Sequence, residues 1–233
     1  MYTKHFTPLE SDPAIFSELI HVLGVEEKLE FVEIYSFDVD TLIYLPRPVL
    51  AVIVIFPDDD VAKSTITGFG EHSLTSEERS RVIWAKQTIN NACGFYAALH
   101  AVCNGTAKDF IKSGSVFDII ASASNESRPD VANIIETSDQ IQAQYANVAV
   151  KGSTSPGAPT DEVEYHYVCF TKATNSRLWL LDGDRDGPLA CNEDCGVEGD
   201  VLDSPNRETI QRFLVEHGSA SSNNFAMMAL VQT

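Results

Sequence analysis

The feature that most constrains this chain is the run from Phe95 to Cys103, in which only His100 and the hydroxyl of Tyr96 are polar. A helix apolar on every side has one stable location, the middle of a core. The segment that leads into it, Gln87-Thr88-Ile89-Asn90-Asn91-Ala92-Cys93-Gly94, is polar and rich in Asn. The sequence therefore predicts a thiol at the first residues of the most rigid element in the molecule. Unpaired N–H groups and roughly half a positive charge gather at a helix N-terminus, and there a thiolate is favoured over a thiol. Free cysteine is also among the most buried residue types, so a merely structural role fits the bare position as well. A base and an oxyanion donor elsewhere in the chain would decide between the two.

At 233 residues the chain has length enough for one large core, and no disulfide or metal staple is required. The cysteines (93, 103, 169, 191 and 195) number five, odd and in no framework spacing, which suits a reducing cytosol. Cys191 and Cys195 lack a second pair at zinc-site spacing, so neither a metal nor a cofactor is expected. No run approaches the ~20 apolar residues of a membrane span. The N-terminus lacks the apolar stretch of a secretion signal. A net charge of −18 argues against nucleic acid and anionic membranes as partners and allows a basic one.

A helix is expected to start with Ser11 as its cap and Asp12 and Pro13 in its first turn, with Ile15, Phe16, Leu19, Ile20 and Leu23 on one face and Gly24 as its stop. Strands are expected at Leu29–Tyr35, at the β-branched run Val49–Phe56, at Tyr165–Thr171, at Arg177–Leu181 and at Phe225–Val231. Short helical turns are expected around Asp38–Leu45 and Val116–Ala123, one long helix from Pro129 to Val148, and a helix from Ser204 to Gly218. Two stretches read as loops: an excursion over about 57–80, and residues 151–164. Neither divides the core, so one domain spanning 1–233 is expected.

Six histidines compete for the role of base. His100 lies about 10 Å along the helix from Cys93 and reads as a core residue. His5, His21, His72 and His217 read as solvated. For His166, a hairpin turning about Thr174 would bring it opposite Asp182 on one face, with Cβ atoms roughly 5 Å apart. A one-residue slip would put Asp182 on the other face. Asp182 could then fix the imidazole tautomer and leave the second ring nitrogen as base, or the pair could simply hold a strand end. Gln87, six residues before Cys93, could supply a side-chain donor to an oxyanion.

The segment Lys86 to Gly94, with Leu99-His100-Ala101 after it, resembles the active-site segment of the ubiquitin C-terminal hydrolases, a family of cysteine deubiquitinases. Pro8 to Pro13, Phe31 to Tyr35, Leu45 to Val49, His166, Leu181-Asp182-Gly183 and Phe225 to Leu230 are similar to its other landmarks, in order along the whole chain. The resemblance implies an α+β, papain-like cysteine protease fold with a central antiparallel sheet, flanking helices and a knotted path. It implies Cys93 as nucleophile, His166 as general base and acid, Asp182 as its orienting acid and Gln87 as oxyanion donor. It makes 151–164 a crossover loop spanning the active site and limiting leaving-group size, and points to Leu9, Glu10, Glu33, Asn223, Asn224 and Phe225 as ubiquitin contacts. The implied activity is that of a short, single-domain, monomeric, cytoplasmic thiol protease that removes small adducts from the C-terminal glycine of ubiquitin. A preference for the neddylation modifier, or ubiquitin binding with little turnover, are the alternatives. The excursion after Asp58 is longer, and Ser219 to Asn224 more polar, than the family pattern.

Overall fold

The computed structural model describes residues 2–57, 74–123, 128–154, 157–161, 163–173, 177–191, 199–217 and 225–233. The expectations for His72, Cys195, Asn223, Asn224, the turn about Thr174 and most of the 57–80 excursion lie outside these residues. The strands are β1 (Lys4–His5), β2 (Leu29–Glu33), β3 (Val49–Pro57), β4 (Ile89–Asn90), β5 (Tyr165–Lys172), β6 (Leu178–Leu181), β7 (Leu189–Ala190) and β8 (Ala226–Gln232). The α-helices are α1 (Pro13–Val22), α2 (Val39–Leu42), α3 (Ser76–Ser80), α4 (Cys93–Val102), α5 (Val116–Ser122), α6 (Arg128–Thr137), α7 (Asp139–Ala149) and α8 (Ser204–His217).

Among the described residues the main sheet has six strands in the order β2-β8-β3-β5-β6-β7, every neighbouring pair antiparallel. The fold is α+β. The run Val49–Phe56 is apolar throughout because β3 lies inside the sheet, between β8 and β5, with both faces covered. Strand alternation divides its side chains. Ala51, Ile53 and Ile55 join the core that contains α1 and α4, whereas Val52, Val54 and Phe56 join a second core with Ile210, Phe213 and Leu214 of α8. All ten residues of α4 are buried, as a helix without a polar face must be.

The two polar groups of that helix, together with Asn104 just beyond it, form a seam. Tyr96, His100 and Asn104 are spaced by four residues and so share one face. The backbone N–H of Thr88 donates to the Tyr96 hydroxyl at 3.1 Å, that of Ala85 to His100 Nε2 at 3.0 Å, and that of Ile83 to Asn104 Oδ1 at 2.7 Å. The extended segment Ile83–Thr88 is thereby aligned along the helix that it feeds. Full burial drops the His100 pKa to about 4, so the ring is a neutral acceptor.

Several expectations shift. The cap of α1 is Asp12, whose carboxylate accepts from the Ala14 N–H at 2.7 Å, with Pro13 as the first helical residue. The helix expected from Pro129 to Val148 is two, because Ser138 leaves helical geometry and its hydroxyl caps the Ile141 N–H at 3.1 Å. The end of the 57–80 excursion is helical, α3, closed by a capping box between Thr75 and Glu78. His21 is not simply solvated, since its Nε2 bonds the Leu29 carbonyl at 2.7 Å. β1 and β4 pair in parallel, a contact between two-residue strands too short to leave a periodic signal.

Candidate active site

Cys93 is the first residue of α4, and its neighbour Asn91 adopts a left-handed conformation at φ 57° that turns the chain into the helix. His166 is the second residue of β5 and Asp182 follows the last residue of β6. The hairpin between them pairs Cys169 with Leu181, Phe170 with Leu180 and Thr171 with Trp179. That register is two residues from the expected one. Side chains alternate with period two, so a two-residue offset leaves Asp182 on the face of His166, diagonally placed rather than directly opposed. The side chains meet there, His166 Nε2 lying 2.8 Å from Asp182 Oδ1. Both are buried, and the His166 ring packs edge-on against Phe56 with centroids 5.8 Å apart.

Burial alone would lower the His166 pKa, but the bonds to Asp182 and to the Cys93 sulfur, with the negative charge they carry, outweigh it and hold the imidazole well above its usual value. Burial likewise opposes ionisation of Asp182; bonds from His166 and the Asp184 N–H, with the Arg185 charge nearby, outweigh it and keep the carboxylate below its usual range. Burial pushes the thiols of Cys103, Cys169 and Cys191 upward. Cys93 is the thiol that stands beside an imidazole. With Nε2 engaged by Asp182, the nitrogen left for chemistry is Nδ1.

The loop after β6 is held through its carbonyls by the segment before Cys93. Trp84 Nε1 donates to Asp182 O at 2.9 Å, the Gln87 N–H to Gly183 O at 2.8 Å, and Lys86 Nζ to Asp184 O and Arg185 O at 2.7 and 2.8 Å. A Cβ on Gly183 would lie 2.9 Å from the Cβ of Gln87, so the approach requires glycine. Gln87 is buried, and its Oε1 has no partner among the described residues. Cys93, His166, Asp182 and Gln87 are thus carried by elements locked to one another. Their arrangement suits acyl transfer through a thioester.

A family model described as ubiquitin carboxyl-terminal hydrolase, family 1, matches residues 6–215. The chain belongs to this family. It is 28% identical over 232 residues to the ubiquitin carboxyl-terminal hydrolase YUH1 of Saccharomyces cerevisiae, covering 96% of this chain and 94% of that protein. It is 30% identical over 200 residues to ubiquitin carboxyl-terminal hydrolase isozyme L1 of Macaca fascicularis, covering 84% of this chain and 85% of that one. In fold it resembles the Trichinella spiralis UCH37 catalytic domain, solved bound to ubiquitin vinyl methyl ester, with a TM-score of 0.71 at 22% identity over 100% of this chain and 98% of that one.

A cleft of about 480 Å³ opens beside Cys93. Leu9, Asn91, Gly94, Val163, Tyr165 and Phe225 are among its lining residues. Two of the residues singled out as ubiquitin contacts, Leu9 and Phe225, therefore line the same cleft as Cys93. Glu10 reaches the 151–164 loop, its Oε2 accepting from the Thr154 N–H at 3.1 Å. Glu33 is exposed at the end of β2 and lines a different depression, of about 430 Å³, with Tyr35 and Tyr44. The sequence reading missed Trp84 and Lys86 as supports of the Asp182 loop. It also missed Asp184, whose Oδ2 lies 4.0 Å from His166 Nδ1. The Asp-Gly-Asp run was the available signal for Asp184. Nothing local in the sequence marks Trp84.

Proposed function

We propose that this chain is a thiol-dependent deubiquitinase that cleaves small adducts or short peptides from the C-terminal glycine of ubiquitin, with Cys93, His166, Asp182 and Gln87 as its catalytic set. The observation that carries the reading is the His166–Asp182 pair beside Cys93, at the mouth of an apolar cleft, in a member of this family. The Cys93 thiolate attacks the glycine carbonyl carbon and a C–S bond forms. The oxyanion accepts from the Cys93 N–H, free at a helix start, and from the Gln87 amide. Collapse breaks the bond to the leaving amine, which takes its proton from His166 Nδ1. His166 then deprotonates a water that attacks the thioester, and the thiolate departs. The net charge of −18 favours the approach of a basic C-terminal tail. Leu9 and Phe225 would contact that tail, with Glu10, Glu33, Asn223 and Asn224 as outer contacts. We read it as a monomeric, single-domain enzyme, and the odd cysteine count suits a reducing cytosol; among the described residues no helix is long and apolar enough to cross a membrane.

Ubiquitin bearing a C-terminal Michael acceptor tests the assignment. One equivalent should add, and peptide mapping should place it on Cys93. Labelling of another cysteine, or none, would overturn the reading; faster labelling by the equivalent neddylation-modifier probe would reassign the substrate. Gln87→Ala should lower kcat by about 10²–10³-fold with little change in KM, because the lost donor acts in the transition state. Steady-state kinetics with a ubiquitin C-terminal fluorogenic amide measure this split.

A further inference from the structure

Asn91 is a buried amide two residues before the nucleophile that the mechanism above does not use. Its Nδ2 donates to two carbonyls of the crossover loop, Pro159 O and Asp161 O, each at 2.9 Å. The loop residues that it grips already form a turn of their own. Asp161 Oδ2 accepts from the Ala158 N–H at 2.7 Å, and the Asp161 N–H donates to Ala158 O at 2.9 Å. The start of the loop is fastened separately. Lys151 pairs with Glu18 of α1, Thr154 N–H bonds Glu10, and the Glu10 carboxylate fills the space that a side chain on Gly152 would need. The described parts of the loop thus run from α1, past the N-terminal segment, to the turn that carries Cys93. They then form one wall of the cleft at Val163–Tyr165.

Both protons of one amide are spent on the loop at the point where it meets the nucleophile's own turn. We propose that Asn91 is a latch that holds the crossover loop shut over the Cys93 cleft and so sets the size of leaving group the enzyme accepts. This rests on the deubiquitinase reading for its substrate, though not for its geometry. A leaving group passes under the strap if it is slender and must break the latch if it is a folded domain. Losing two neutral hydrogen bonds moves an open–closed ratio by roughly tenfold to a hundredfold.

Two variants isolate the amide. Asn91→Gly keeps the left-handed turn at no steric cost and removes the donors. Asn91→Asp keeps size and turn preference while facing carboxylate oxygens toward the two carbonyls. Two measurements on the full chain read the outcome: the rate of protease nicking within residues 151–164, and the ratio of kcat/KM for ubiquitin fused to a folded domain over that for ubiquitin with a small fluorogenic amide. Both should rise by about tenfold or more. If neither moves by twofold, or if both substrates slow in proportion with nicking unchanged, Asn91 only shapes the turn and the latch is overturned. Faster nicking with an unchanged ratio overturns size selection. Should the natural chain hydrolyse no ubiquitin adduct, the substrate reading falls, and nicking alone still decides the latch.

Discussion

Cys93→Ala should lower turnover of a ubiquitin C-terminal amide by at least about 10⁴-fold while ubiquitin still binds. Removing a nucleophile from such a set in a related mechanism costs about 10⁶-fold, because the remaining groups act only through it. No other described thiol stands ready to substitute, since Cys103, Cys169 and Cys191 lie where burial opposes ionisation. The substitution removes one small buried atom at the first residue of α4, so the helix and the cleft survive. Fluorescence release and calorimetric binding separate the two effects. Residual turnover within tenfold of the natural chain would show that the nucleophile lies elsewhere, and loss of binding together with turnover would show that the variant had not kept its fold.

Asp182→Ala should cost about 10²- to 10⁴-fold in kcat, in the range seen when the orienting acid of a catalytic triad is lost. It removes the acceptor for His166 Nε2 and for the Asp184 N–H. Asp182→Asn should recover part of that loss, since its amide oxygen still accepts from Nε2 and holds the ring orientation. Neither variant keeps the charge. In both, the alkaline limb of kcat/KM, where the imidazolium is lost, should move to lower pH. The sign for stability follows from the same shifts. His166 is raised above 6.5, so its contribution is full below that pH and fades as pH climbs through the higher folded value. Asp182 is depressed below 3.8, so its contribution is present above that pH and fades as pH falls through the folded value. Natural stability should therefore plateau between about pH 4 and 6.5 and decline on both sides, whereas Asp182→Ala should flatten the profile. Thermal melts across that range, with pH–rate profiles beside them, test both statements; an unmoved alkaline limb would dissociate Asp182 from the base.

How much of this was legible follows from range. The position of Cys93 at the head of a core helix is local, carried by ten consecutive residues without a polar face, and it reads directly. His166 and Asp182 are joined by one hairpin, so parity alone put them on one face even though the register was two residues off. The supports were not legible. Trp84 and Lys86 act on carbonyls 98 positions away, and backbone carbonyls leave no mark in a sequence. Asn91 read as part of an Asn-rich turn, yet its partners at Pro159 and Asp161 stand 68 and 70 positions on. Ser138 was concealed by apolar spacing that continues in phase from α6 into α7, so the break was carried by one hydroxyl. Glu10 illustrates the opposite case, a residue whose expected outward role coexists with an inward bond to Thr154.

The seam of Tyr96, His100 and Asn104 has a thermodynamic consequence. It spans about 12 Å of helix, and the strip that it grips, from Ile83 to Thr88, includes Gln87. The thiol and the amide that would share an oxyanion therefore belong to a single cooperative unit. Neither can fray without the other, and the free energy that opens one is that of the core itself. The substrate-facing strap, tied by a few surface contacts and one amide, draws on a much smaller reserve. Such a molecule can rearrange its gate many times over without once disturbing the spacing of the atoms that react.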